Sequence, residues 1–291
     1  MYRKETEQDR AGASNDTVQS PTYILQPDPE AHGLTRHVRG FDQTGAARDI
    51  AVVEERPLTI FLNSQEVVTA MTIGDYPELL AAGYLRNQGM LLPDDQITGI
   101  DFDEDLETVV LRTARATNYE DKMKKKIRTS GCAVGTVFGD MMDALEGVNL
   151  PQTSIKVSWL YALSKQINTT PSLYLSAGAI HGTVLCCEDK PLVYMEDVGR
   201  HNAVDKVAGW MHLNDVPAED KILYTTGRLT SEMVIKCVLM GIPALVSRSG
   251  FTAWGVELAQ NAGLTLIGRL RGERYICLSG HDRLDFDERT A

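Results

Sequence analysis

The sequence predicts an α/β protein: a mixed sheet covered by helices, preceded by a smaller α+β unit. Two patterns carry this. From residue 201 onward, amphipathic helical stripes alternate one by one with short apolar runs, the rhythm of strands joined through single helices. Before about residue 113 the pattern is instead a hairpin, one helix and a further strand. The length of 291 residues, 43% of them hydrophobic, leaves room for a large and a small domain, each with a core.

Residues 1–49 are rich in Gly, Ala, Ser, Asp, Gln and Thr with little apolar periodicity, and read as a flexible tail. The small unit is expected over 50–128. Leu58 to Leu62 and Val67 to Met71 form strands around the turn pair Asn63-Ser64. Asp75 is placed to cap a helix with Pro77 in its first turn and Leu80 and Tyr84 on one face. Thr108 to Leu111 is a further strand, and Tyr119 to Arg128 a basic helix.

The second domain is expected over 129–291. Met141 to Leu145 and Trp159 to Ile167 look helical. Thr183 to Cys187 and Leu192 to Glu196 read as a hairpin. Val204, Val207, Ala208 and Met211 stripe a helix over 201–212. Ile222 to Thr225 is a strand. Met233, Val234, Cys237 and Val238 stripe the next helix, stopped by Gly241. Ala244 to Ser247 is a strand, and Thr252 caps a helix to about Ala262. Thr265 to Gly268 and Tyr275 to Leu278 are the last strands.

Strands in this half end in similar chemistry: Asp197-Val198-Gly199-Arg200-His201, Thr226-Gly227-Arg228, Arg248-Ser249-Gly250, and Arg269-Leu270-Arg271-Gly272-Glu273-Arg274. Open α/β sheets bind ligands outside the carboxyl ends of their strands. If these strands run mostly parallel, the four segments share one edge, each with a glycine for close approach and an arginine for an anion. That points to a phosphate-bearing ligand. The arginines of 269–274 would repel one another unless solvated or shared by an anion such as pyrophosphate.

Cys132 stands in Ser130-Gly131-Cys132-Ala133-Val134-Gly135, just after the cationic run Lys122 to Arg128. Neighbouring cations favour the thiolate, the nucleophilic form, and the glycines let a loop present it. The same spacing also suits a small core cysteine after a solvated basic helix. Cys186, Cys187, Cys237 and Cys277 sit within strands or apolar stripes, where buried thiols are expected; His181 is read as structural.

Composition narrows the classes. A net charge of −11 argues against nucleic acid as a partner. Five cysteines without paired spacing suit a reducing compartment, and neither an apolar leader nor a membrane-length apolar run is present, so a cytoplasmic protein is expected. No CxxC, HExxH, P-loop or GxGxxG occurs, so neither a metal site nor a Rossmann site is expected.

At Glu196-Asp197-Val198-Gly199-Arg200-His201-Asn202-Ala203-Val204-Asp205-Lys206 the chain resembles the formate dehydrogenase accessory sulfurtransferase family, FdhD. Thr226-Gly227-Arg228 leading to Ser231-Glu232-Met233-Val234, Pro243 to Ser249, and Glu54 to Leu58 carry the same resemblance, which spans roughly residues 50 to 280. It implies a cytidine deaminase-like second domain and a homodimer. It implies a sulfur carrier that takes persulfide sulfur from a cysteine desulfurase and passes it to the Mo-bis(molybdopterin guanine dinucleotide) cofactor. The cofactor then enters the catalytic subunit of formate dehydrogenase. The family's persulfide cysteine maps to Cys132, and its cofactor-binding run to Arg269, Leu270, Arg271, Gly272, Glu273 and Arg274, with guanosine diphosphate expected to bind as a fragment; Arg228 and His201 are added as contacts from the same edge. The chain departs from the family where the second cysteine of CxxC would stand, at Gly135, which makes a cofactor-binding chaperone with little sulfur transfer an alternative. The zinc deaminase signature is absent, so the implied fold brings no hydrolase chemistry.

Overall fold

The computed structural model describes residues 23–115, 145 and 148–287. The small unit is a four-stranded sheet in the order β4-β3-β6-β5, formed by β3 (Arg56–Leu62), β4 (Gln65–Thr72), β5 (Ile97–Asp103) and β6 (Thr108–Thr113). Helix α1 (Pro77–Asn87) covers one face. Leu58, Ile60 and Leu62 of β3 and Val109 and Leu111 of β6 meet Leu80, Ala81 and Leu85 of α1 in one buried cluster.

The larger unit is a six-stranded mixed sheet in the order β13-β12-β11-β10-β8-β9. Its strands are β8 (His181–Cys187), β9 (Lys190–Asp197), β10 (Lys221–Thr225), β11 (Ala244–Ser247), β12 (Thr265–Arg271) and β13 (Arg274–Ser279). A short pair, β7 (Ile155–Lys156) with β14 (Leu284–Asp285), lies apart. The helices α4 (Arg200–Leu213), α5 (Ser231–Leu239) and α6 (Ala253–Asn261) cover one face, where Val204, Met233 and Leu258 share a core with Leu185, Leu223 and Leu245. Helix α2 (Val157–Thr169) covers the other, packing Leu160, Leu163 and Ile167 on Val184, Tyr224 and Val246. A single turn, α3 (Leu173–Ser176), follows α2. Strands buried on both faces read as continuous apolar runs, which is why β10 and β11 are recognisable in the sequence.

The two units meet backbone to backbone. A Cβ on Gly83 of α1 would overlap the Asp205 carbonyl of α4, and one on Gly209 would overlap the Leu79 carbonyl. Two glycines thus let α1 and α4 cross closer than any pair with side chains would allow.

Several expectations need correction. The stretch read as a tail contains a hairpin, β1 (Thr35–Phe41) with β2 (Ala47–Val53), and Leu25 bridges Val193 at the edge of the large sheet. The hairpin is exposed almost throughout, so it carries no buried stripe for sequence reading to detect. Asp75 does not cap α1: the N-cap is Tyr76, with no side-chain cap, because the Asp75 carboxylate is engaged by Lys206. Strand β5 escaped notice because a register shift between Ile97 and Gly99 interrupts its alternation. The basic segment from Tyr119 to Arg128, Cys132, Gly135 and, apart from Leu145, the helix expected over Met141 to Leu145 lie outside the described residues.

Candidate functional site at the carboxyl edge of the large sheet

Strands β10, β11 and β12 are parallel, and β9 runs the same way because both β9 and β10 are antiparallel to β8. Their carboxyl ends therefore share one edge, and the four Gly/Arg segments come together there. Strand β8 runs oppositely and begins at that edge, with His181 opposite Asp197. Helices α4, α5 and α6 all start there, adding backbone N–H groups and positive dipole ends.

Hydroxyl groups hold the edge loops. Thr225 Oγ1 accepts from Gly227 N at 3.1 Å and donates to the Gly182 carbonyl at 3.2 Å. Ser247 Oγ donates to the Gly227 carbonyl at 2.6 Å and accepts from Ser249 N at 2.9 Å. Thr252 caps α6 by accepting from Gly255 N. These bonds fix the edge loops to one another and to the adjacent strands.

The C-terminal run sits in the β12–β13 hairpin. Arg269, Arg271, Gly272, Glu273 and Arg274 are exposed, whereas Leu270 is fully buried in the core under α2. Leu270 thus anchors the hairpin, and its side chain is withheld from any ligand. Arg271 and Arg274 are cross-strand partners, so two cations stand side by side. Arg269 adopts a left-handed φ of 56°, its N–H donating to the Ser249 carbonyl at 2.7 Å, at the register shift between Gly268 and Arg271. Such a bulge re-aims a side chain, and strain of this kind persists only where the surroundings enforce it. Gly272, with φ 58°, closes the turn. Arg228 is also exposed; Arg248 is half-buried, stacked 5.2 Å over the Tyr174 ring and donating to Asn168 Oδ1 at 3.1 Å.

His201 opens a different part of the edge. Its Nε2 lies 3.1 Å from Glu232 Oε2, both side chains being largely buried. Burial pulls the His201 pKa down, the bond to Glu232 opposes this, and the net shift is downward. His181 is lowered by burial and then by Arg200, Arg228 and His201, so these four groups share one electropositive neighbourhood. A cavity of about 450 Å³ lies here, with His181, His201 and Glu232 among its polar lining and β4 (Val68 to Met71) as a wall. The sequence did not show that His181 joins this group, because only the antiparallel course of β8 brings it to the edge.

Most of the Glu196–Lys206 string has a structural role. Glu196 accepts the N–H groups of Leu173 and Tyr174 at 2.7 and 2.8 Å. Asp197 accepts from Thr72 Oγ1 at 2.6 Å, Lys206 Nζ at 2.6 Å, Asn202 Nδ2 at 2.9 Å and Gly199 N at 3.1 Å. Asn202 also donates to the Met71 carbonyl at 2.7 Å. Asp205 accepts from Lys236 Nζ at 2.6 Å and from Asn87 Nδ2 at 2.7 Å. The buried Lys206 ammonium bonds Asp75, Asp197 and the Glu196 carbonyl. Burial would lower its pKa, but the carboxylates of Asp197 and Asp75 outweigh this and raise it. Thr72, Asp75 and Asn87 belong to the small unit, so the string clamps the two units together at the edge.

Burial pushes the Glu196 carboxyl up to about 7 from an ordinary value of 4.5, against the two backbone N–H bonds that favour the anion. A raised carboxyl pKa gives stability that is full below pH 4.5 and is lost as pH rises to about 7. The lowered pKa values of His181, His201 and His212 act with the opposite sign, through stability lost on acidification. The difference between wild type and Glu196→Gln isolates the first effect. Wild type should lose up to about 3 kcal/mol relative to the variant between pH 4.5 and 7. Denaturant titrations across that range check it, and parallel pH profiles would contradict it.

Among the described residues no group of three His, Cys, Asp or Glu side chains is placed to hold a metal ion, and no helix is long and apolar enough to cross a membrane. The described cysteines offer no activated thiol. Cys186 and Cys237 are buried and Cys187 and Cys277 half-buried; burial raises the pKa of all four.

Comparison with known proteins bears on the fold and the family. A sulfur carrier protein FdhD of Bacillus pumilus is 28% identical over 235 residues, covering 80% of this chain and 90% of the relative. One of Nocardia farcinica is 32% identical over 248 residues, covering 81% and 88%. A crystal structure described as a formate dehydrogenase accessory protein from Desulfotalea psychrophila superposes with a TM-score of 0.70 at 28% identity, covering 86% of this chain and 98% of that one. The model of the FdhD/NarQ family matches residues 53–285, which span both sheets, the Glu196–Lys206 clamp and the arginine hairpin, and the chain belongs to that family.

Proposed function

We propose that the protein carries sulfur for the maturation of formate dehydrogenase. In this reading Cys132 takes sulfur from a cysteine desulfurase. The sheet edge holds Mo-bis(molybdopterin guanine dinucleotide), the cargo that receives it before entering the catalytic subunit. The observation that carries the reading is the convergence of four Gly/Arg segments at one edge, with Arg228, Arg269, Arg271 and Arg274 exposed. Arginine suits the pyrophosphates of such a cargo because its planar fork bonds phosphate oxygens in pairs.

The transfer balances without net oxidation. The Cys132 thiolate attacks the outer sulfur of the desulfurase persulfide, the S–S bond breaks, and the desulfurase leaves as a thiolate. Cys132 then bears the persulfide. The run Lys122 to Arg128 supplies the positive charge that favours the thiolate. Burial raises the pKa of the four other thiols, which supports Cys132 as the carrier. With Gly135 in place of a second cysteine, releasing the sulfur as sulfide requires a thiol from outside the loop: it attacks the Cys132 sulfur, the persulfide S–S bond breaks to expel hydrosulfide, and Cys132 is left in a mixed disulfide that a second thiol reduces. That same glycine favours a second reading, a chaperone that holds the cofactor and transfers little sulfur.

The cargo site is tested with guanosine diphosphate. Arg271→Ala should weaken its binding about tenfold or more, since one charge-assisted phosphate bond contributes roughly 1.5–3 kcal/mol. Added salt should weaken wild type more than the variant. Because Arg271 is exposed, the melting curve should not move. Calorimetric titration measures this, and unchanged affinity would shift the site to Arg200, Arg228 and Arg248.

A further inference from the structure

The cavity of about 450 Å³ lies between the two units, with Val68 to Met71 of β4 and Tyr84 of α1 on one side and α4 and α5 on the other. Most polar groups in its wall are committed to one another: Asp205 to Lys236, His201 to Glu232, and Asn202 to Asp197 and the Met71 carbonyl. His181 stands apart. Its half-buried imidazole makes no hydrogen bond to another described residue. Burial, with Arg200, Arg228 and His201 nearby, favours its neutral form. A neutral imidazole accepts a proton, and the arginines beside it favour an anion. Arg115, the last described residue before Cys132, donates to the Met90 carbonyl, two residues beyond Gln88 of the cavity wall. The segment bearing Cys132 therefore departs beside the cavity.

With Gly135 in place of a second cysteine, reduction of a persulfide on Cys132 needs a thiol from elsewhere. At neutral pH a thiol of ordinary pKa, about 8.5, is only a few per cent ionised, so its site must supply a base and nearby cations. We propose that the cavity binds a low-molecular-weight thiol bearing a carboxylate, of the class of cysteine and glutathione, with the positive field of Arg200 and Arg228 holding the carboxylate and His181 taking the thiol proton. The inference rests on the carrier role of Cys132. The thiolate formed attacks the Cys132 sulfur, the persulfide S–S bond breaks, and hydrosulfide leaves, taking the proton from His181 as hydrogen sulfide. A second thiol then attacks the mixed disulfide at the small thiol's sulfur and frees Cys132. Two thiols are thereby oxidised to one disulfide, while the persulfide sulfur is reduced to sulfide at the edge that holds the cargo.

Timing sulfide release tests the assignment. Protein loaded with sulfur by a desulfurase and cysteine, then freed of both, is treated with increasing cysteine or with cysteamine, which lacks the carboxylate. Release from wild type should saturate with cysteine, whereas cysteamine should give a slower rate that rises linearly. His181→Gln should lower the limiting rate about tenfold at neutral pH. That deficit should shrink as pH passes about 8.5, where the thiol ionises unaided. A merely structural His181 would give a deficit independent of pH. Arg228→Gln, at an exposed position, should instead raise the half-saturating cysteine concentration at an unchanged limiting rate. Melting curves report the folding of both variants. Release proportional to cysteine in wild type, equal rates with cysteamine, or a pH-independent deficit in His181→Gln would each overturn this inference while sulfur loading stays intact. Protein that takes up no sulfur would overturn the carrier reading, and this inference with it.

Discussion

Lys206→Met should destabilise the protein by about 3–5 kcal/mol, the cost of removing one partner from a buried ion pair. The side chain is fully buried, and its ammonium bonds Asp75, Asp197 and the Glu196 carbonyl. Methionine fills similar volume but leaves the Asp197 carboxylate, itself fully buried, facing an apolar chain. Asp75 comes from the small unit and Asp197 from the end of β9, so the loss falls on the joint between units. Denaturant unfolding should therefore show a lower midpoint. A loss under about 1 kcal/mol would mean that the cage contributes little and that packing alone holds the joint.

Gly209→Ala should be nearly as damaging, about 3 kcal/mol, at the upper end of the usual cost of overpacking. The added methyl would overlap the Leu79 carbonyl, which is backbone and cannot rotate away. Helices α1 and α4 would have to separate, pulling Asn87 from Asp205 and Asp75 from Lys206. Gly40→Ala is the control: nothing lies within 4 Å of its added Cβ. Thermal melting of the two variants side by side checks the contrast. Equal melting temperatures would show that α1 and α4 slide apart without cost.

The fold of the second half was legible because its strands are buried on both faces and its helices carry clean apolar stripes. The convergence of arginines was legible too, conditional on strand direction, which only the pairing of β8 with β9 and β10 resolves. Other features depend on tertiary partners and leave no local pattern. Asp75 has the sequence position of a helix cap, yet its partner is a lysine 131 residues away. Gly83 and Gly209 look like weak points in helices until the two are brought together. The Glu196–Lys206 string marked the family correctly, but its chemistry is mainly that of a clamp; its residues from Val198 to Asn202, with Asp205, also line the cavity, where His201 meets Glu232. Leu270, by contrast, belonged to the implied cofactor run by position alone, and its side chain serves the core.

The most direct measurement is the intact mass of the protein after incubation with a cysteine desulfurase and cysteine, alongside Cys132→Ala. A sulfur carrier should gain one sulfur on wild type, removable by a thiol reductant, and none on the variant. The four remaining cysteines should stay unmodified because burial keeps them as thiols. Wild type that gains no sulfur, yet binds guanosine diphosphate normally, would contradict the carrier role and leave a cofactor-holding chaperone in its place.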